Sequence, residues 1–366
     1  MQVSIPEDKV NNAFGQALNH LDLCLVTLAR TQFPTPGPSG GHHIFYERDA
    51  VDLIHAYDII GDHRRAARMI DHYLLHGVNQ ETSGMVLWLL GKHWALTGDR
   101  DWLAHILPDV ERRMAWLIRT WIASRGANDG LLPETEIADN ELAIGHFVSY
   151  HLYALSGAKA AVALAQAARA GDLAAAWQEF AAAFEQAVMA RLEKLVAKTD
   201  GVITPTFEGF DARQLTFTAS WMDPPQTYTF AGAYGKTGGC DWHNIAAAFP
   251  TAVLPADHPW ITSSVDRWRH TYVEGVFPYP RDRRYDWIHN YNTLNLSGTF
   301  LRRGDWAEAL RDLYGVLLHT TAAHASAEVA DAAARRDMNC TPHNWFSAKL
   351  VRHIRDLLLY EGDDLG

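Results

Sequence analysis

Paired helical periodicity is the feature that most narrows what this chain can fold into. Over residues 7–31, Val10, Phe14, Leu18, Leu21, Leu25 and Leu28 recur every three or four positions, one apolar stripe along a helix. Prolines 34, 36 and 38 and glycines 37, 40 and 41 then break the chain. Comparable helical segments read at about 48–60, 62–76, 80–97, 100–123, 140–169, 171–197, 241–250, 257–273, 286–303, 305–320 and 343–360, twelve in all. Gly98 followed by Asp99 and Asp101 reads as a helix stop and a helix start, and Gly304-Asp305 repeats the device. The short joins make neighbours antiparallel. Six hairpins in 366 residues predict an all-α fold, an (α/α)6 toroid or barrel, and no repeating signature supports a solenoid.

The expected organisation is one barrel over residues 1–366, with 198–240 as an irregular or β-hairpin insertion near its mouth. In that stretch the runs ITPTF, QLTFTAS and QTYTF are rich in Thr and aromatics and are separated by Gly, Pro and Asp. Phe207, Phe210, Trp221, Tyr228 and Tyr234 are too many aromatics for a solvated loop. A segment that folds over the mouth and narrows it is the expectation, with a packing or dimerisation arm as the alternative.

Composition removes several function classes. Lys and Arg (32) against Asp and Glu (43) leave a net charge of −11, which disfavours a phosphate-neutralising surface and so nucleic-acid binding. No run approaches the roughly 20 apolar residues of a membrane helix. The opening MQVSIPEDKV lacks a signal-peptide pattern, and Cys24, Cys240 and Cys340 have no paired spacing; a reduced, cytoplasmic setting is the expectation. There is no HExxH, GxGxxG after a strand, P-loop or GxSxG, so no metal or cofactor is expected. Thirteen Trp in an acidic chain instead favour a carbohydrate pocket, since the indole face and its single donor suit sugars as well as large cores.

Acidic and aromatic residues gather at three junctions before predicted helices, where the loops of a barrel converge. Phe45-Tyr46-Glu47-Arg48-Asp49 offers Tyr46, Arg48 and Asp49 for hydrogen bonding to vicinal hydroxyls. Glu134, Glu136, Asp139 and Glu141 put four carboxylates within eight residues, and mutual repulsion raises the pKa of any member held out of water, as a general acid requires. Glu328 precedes Arg335 and Arg336, with which it could simply pair on a surface, and His343-Asn344-Trp345 follows at the last helix. Between them, Asp241-Trp242-His243-Asn244 and Trp287-Ile288-His289-Asn290-Tyr291-Asn292 put aromatic and amide groups at helix starts that point to the same end.

In this order the signals resemble the (α/α)6-barrel glycoside hydrolases of the glucoamylase type and their relatives among bacterial trehalases and debranching-type enzymes. The resemblance rests on Tyr46-Glu47-Arg48-Asp49 where that family has an aromatic-x-Arg-Asp step. It rests also on Glu81-Thr82-Ser83-Gly84 ahead of Thr97-Gly98-Asp99, on acids before the sixth helix, and on a late acid before the twelfth. It implies a general acid at Asp139 or Glu141 and a general base at Glu328. The family's Leu-Trp-Glu-Glu acid motif is absent, so both acids stay open. The entry aromatic is Tyr46 in place of Trp.

The leading expectation is therefore an exo-acting, inverting glycosidase acting on an oligosaccharide or glycoside without a cofactor. Asp241, Trp242, His289, Asn290, Tyr291, His343 and Trp345 would join Tyr46, Arg48 and Asp49 in binding the sugar. Sugar epimerases or isomerases and polysaccharide lyases share the fold and use His or Tyr bases, and a non-catalytic carbohydrate-binding barrel is the third reading. A homo-oligomer, or a β-domain elsewhere in a longer chain, stays open.

Overall fold

The computed structural model describes residues 3–28, 31–38, 42–79, 82–137, 143–208, 216–219, 226–229, 242–279, 287–337 and 340–360. Twelve α-helices lie among them: α1 (Asp8–Leu23), α2 (Glu47–Ile59), α3 (His63–Leu74), α4 (Ser83–Thr97), α5 (Arg100–Ser124), α6 (Val148–Ala167), α7 (Gly171–Val196), α8 (Trp242–Ile245), α9 (Pro259–Arg269), α10 (Asn290–Arg303), α11 (Trp306–Leu318) and α12 (Asn344–Leu358).

The even-numbered helices form a closed inner ring, in which α2 packs on α4, α4 on α6, α6 on α8, α8 on α10, α10 on α12 and α12 back on α2. Burial separates the two layers. Outer helices bury one stripe, as α3 does with Ala66, Met69, Ile70 and Tyr73, and α11 with Ala309, Asp312, Leu313 and Val316. Inner helices are buried on all sides: Asn290 through Leu301 of α10 is one unbroken buried run. The ring closes tightly at α4 and α6, where a Cβ on Gly84 would lie 2.4 Å from the Ala154 nitrogen and one on Gly157 would lie 2.4 Å from the Gly84 oxygen.

Several helix boundaries differ from the periodicity. The 7–31 segment stops at Leu23, because Thr35 takes the Cys24 carbonyl with both its amide (2.9 Å) and its hydroxyl (2.8 Å). Leu25–Leu28 (β1) then pairs antiparallel with Thr31–Pro34 (β2). The segment expected from 140 starts at Val148, since Thr135–Ile137 (β3) pairs with Ala143–Gly145 (β4) and the Val148 amide bonds the Pro205 carbonyl. Gly98 (φ 59°) and Gly304 (φ 74°) end their helices in the left-handed region. Asp99 caps α5 through the amides of Asp101 and Trp102, both at 3.0 Å; Asp305 occupies the N-cap of α11 without a side-chain bond.

In the insertion, Thr216–Ala219 (β5) pairs with Gln226–Thr229 (β6). Its start is docked on the inner ring: Phe207 is buried, 5.1 Å edge-on from His151, and its amide bonds the His146 carbonyl. Phe210, Trp221 and Tyr234 lie outside the described residues. A last small sheet, Trp287–Ile288 (β7), Ala330–Asp331 (β8) and Arg336–Asp337 (β9), lays the 324–331 loop across the start of α10.

Candidate active site

A pocket lies on the barrel axis and draws its wall from every inner element: Arg48 and Asp52 of α2, Met85 of α4, Tyr153 of α6, Ala246 and Phe249 just after α8, Asn295 of α10, and Trp345 and Lys349 of α12. The buried Lys349 ammonium donates to Asp52 Oδ2 and to Asn295 Oδ1, each at 2.7 Å. The Trp345 indole N–H donates to Asp52 Oδ2 at 2.5 Å. Burial alone would push the Asp52 carboxyl up; the charges of Lys349 and Arg352, with the bonds from Lys349 and Trp345, hold it below its ordinary range. Tyr291 stacks on Trp345 at 5.0 Å. Fixed polar groups around a flat aromatic face suit a polyhydroxylated ring.

Glu328, 9% exposed, stands on the loop before β8. Three bonds hold that loop: Asn290 Nδ2 to Ser326 Oγ (2.9 Å), the His343 amide to the Ser326 carbonyl (2.7 Å), and the Glu328 amide to the Cys340 carbonyl (3.3 Å). Glu328 Oε2 lies 3.2 Å from His42 Nε2. Burial pushes this carboxyl up, but the His42 hydrogen bond and the neighbouring His343, His289 and His42 outweigh it and hold it at about 2. His343 is also buried; desolvation, against the pull of Glu328, brings it down to about 4, so its imidazole is neutral at physiological pH.

The structure brings most of the sequence-derived residues to this end. Tyr46 is the N-cap of α2, with its ring 6.4 Å from that of His42. Arg48 lines the pocket, and Asp49 is buried with its charge acting on Lys349 and Cys340. His289, Tyr291 and His343 form a strip of rings, with His289–Tyr291 at 4.7 Å and Tyr291–His343 at 5.2 Å, running from Tyr279 to Trp345. Asn290 gives its amide to Ser326 and so positions the Glu328 loop. Trp242 opens α8, while Asp139, Glu141 and Asp241 lie outside the described residues. Arg335 and Arg336 are exposed, and Glu328 turns inward to His42 instead.

Sequence reasoning missed Asp52, Asn295 and Lys349, although a signal existed: each stands one turn beyond a chosen residue (Asp49, Tyr291, Trp345) on the same helix face. His42 and Cys340 carried no such signal. They meet Glu328 only through the packing of three loops.

No protein-family model matches the chain, and no curated protein resembles it significantly in sequence. Its fold does match solved structures. A glutamate-to-alanine variant of a glycosidase, in complex with glucose, superposes with a TM-score of 0.70 at 15% identity, over 98% of this chain and 100% of that one. A bacterial glucoamylase complexed with acarbose matches at 0.67 and 12% identity, over 97% of this chain and 58% of the other. The glucoamylase of Saccharomycopsis fibuligera matches at 0.63 and 11%, over 98% and 96%. A likeness at such low identity establishes a shared architecture, the (α/α)6 barrel of the glucoamylase type.

Proposed function

We propose that this chain, built on the (α/α)6 fold of the glucoamylase-type glycosidases, hydrolyses a glycosidic bond with Glu328 as the general base. One observation carries the reading: a buried carboxylate, held ionised chiefly through its bond to His42, beside the strip of rings that runs from His289 through Tyr291 to Trp345 of the pocket wall. Glu328 would take a proton from a water as that water attacks the anomeric carbon. A carboxylic acid on the opposite side would give its proton to the leaving oxygen.

That acid is assigned to Asp139 or Glu141, in the segment that joins β3 to β4 ahead of α6. Glu208, the carboxylate bonded to His146 at 2.5 Å beside the start of α6, is a poor donor. Burial pushes Glu208 up, but the His146 bond outweighs it and keeps the group ionised. Inversion calls for carboxyls roughly 6.5–9.5 Å apart, with water between base and sugar. The aromatic-rich 198–240 insertion, whose Phe207 docks on the inner ring, is in keeping with a narrowed mouth and so with exo action on a short glycoside. The glycosidase and bacterial glucoamylase structures that this chain matches carry glucose and acarbose, in keeping with a carbohydrate ligand here.

Epimerisation is the weaker reading. It needs a basic imidazole, and His343 at about 4 is a feeble base for a carbon-bound proton. The test is a panel of aryl glycosides and free disaccharides with anomer-resolved NMR. Hydrolysis that is lost in Glu328→Gln, with the inverted anomer formed first, supports the reading. Isomerisation of a free reducing sugar without hydrolysis refutes it.

A further inference from the structure

We propose that His42, Glu328 and Cys340 form a binding site for a zinc-type divalent cation. The three donor atoms, an imidazole nitrogen, a carboxylate oxygen and a thiol sulfur, lie within 4.8 Å of one another. The 3.2 Å between His42 Nε2 and Glu328 Oε2 already matches the edge of a tetrahedral zinc site, whose N and O ligands stand about 2.1 Å from the metal and so about 3.4 Å apart. Cys340 Sγ lies within 4.8 Å of both, against roughly 3.6 Å in a closed tetrahedral site, so closing it draws the sulfur inward by up to about 1 Å.

The donors come from three loops that the fold ties together before any ion binds. The Pro36 carbonyl accepts from the Asn344 amide at 2.6 Å, Gly37 bonds the His42 carbonyl at 3.2 Å, and Glu328 bonds the Cys340 carbonyl at 3.3 Å. Gly37 passes so close that a Cβ there would lie 3.0 Å from Cys340 Sγ, which leaves the thiol little freedom to turn away. The set of N, O and S donors selects zinc or cadmium over magnesium or calcium, which prefer oxygen alone. Three protein ligands leave a fourth position for water. On binding, the Cys340 S–H bond breaks as the sulfur–metal bond forms, and the proton passes to solvent. Neither spacing nor motif could show this site, since His42 stands 286 residues before Glu328.

Occupancy would take the Glu328 carboxylate away from water, so the ion should inhibit; this consequence alone rests on the hydrolytic reading. The test titrates cadmium chloride into the full chain and follows the ultraviolet thiolate-to-cadmium charge-transfer band. One equivalent should raise the band in the wild type and in Cys24→Ser and Cys240→Ser, but not in Cys340→Ser. Affinity should fall more than about 100-fold in His42→Gln and Glu328→Gln, beyond the effect of losing an outer-shell partner. Circular dichroism confirms that each variant is folded, and a thermal shift on cadmium addition that Cys340→Ser lacks is a second readout. A band that survives in Cys340→Ser, or affinities unchanged in both other variants, overturns the site. Cadmium bound as expected while hydrolysis continues unimpaired keeps the site and removes Glu328 as the base.

Discussion

Replacing His42 by Ala takes the hydrogen-bond partner from Glu328 while leaving the carboxylate in place. With its side chain only 12% exposed, Glu328 is little screened, and holding it at about 2 instead of 4.5 contributes about 3 kcal/mol at neutral pH. The share due to the charge of His343 acts only below about pH 4, where that ring is protonated. A hydrogen bond to a charged group accounts for about 1.5–3 kcal/mol, equivalent to roughly one to two pH units. The folded-state value is depressed, so the stabilisation is fully present above about pH 4.5 and is lost as pH falls through about 2. In His42→Ala the acid limb of kcat/KM should therefore move upward by roughly one to two pH units. Urea unfolding at pH 7 should show about 1.5–3 kcal/mol less stability than the wild type, a gap that narrows steadily toward low pH. Rate profiles on an aryl glycoside and denaturation curves across pH measure both. An unmoved acid limb, or a stability gap independent of pH, would refute the argument that His42 sets the charge of Glu328.

Other perturbations test the remaining parts. Glu328→Gln should lower kcat/KM by about 10²–10⁴-fold, because an amide cannot take a proton from water; steady-state kinetics decide. Asp52→Ala leaves Lys349 buried without its counter-charge and the Trp345 N–H without its acceptor, at a cost of about 3–5 kcal/mol in denaturant titration. Removing Lys349 as well, as Asp52→Ala with Lys349→Met, should recover much of that loss. Gly84→Ala drives a methyl into the α6 backbone and should destabilise by about 1–3 kcal/mol or more, read as a lowered Tm. Replacing Glu134, Glu136, Asp139 and Glu141 singly should identify one variant that fails on poor leaving groups yet still cleaves an activated aryl glycoside.

The outer layer was legible in sequence because each outer helix meets water on one side, and that contrast writes a 3.6-residue period, as in α3 and α11. The inner helices show no such contrast. They were recognisable from their lengths and from the turn residues around them, which Gly98-Asp99 marks well and the 140–148 boundary does not. Glu328, Arg48 and the strip from His289 to Trp345 could be chosen from the chain, because helix starts in a hairpin barrel face one end and polar or aromatic residues there stand out. Their partners could not. Whether Glu328 meets Arg335, seven residues on, or His42, 286 residues away, depends on how three loops close over α2, α10 and α12. The charge on that carboxylate follows from the closure, since burial and neighbouring imidazoles set a pKa and both exist only once the ring is shut.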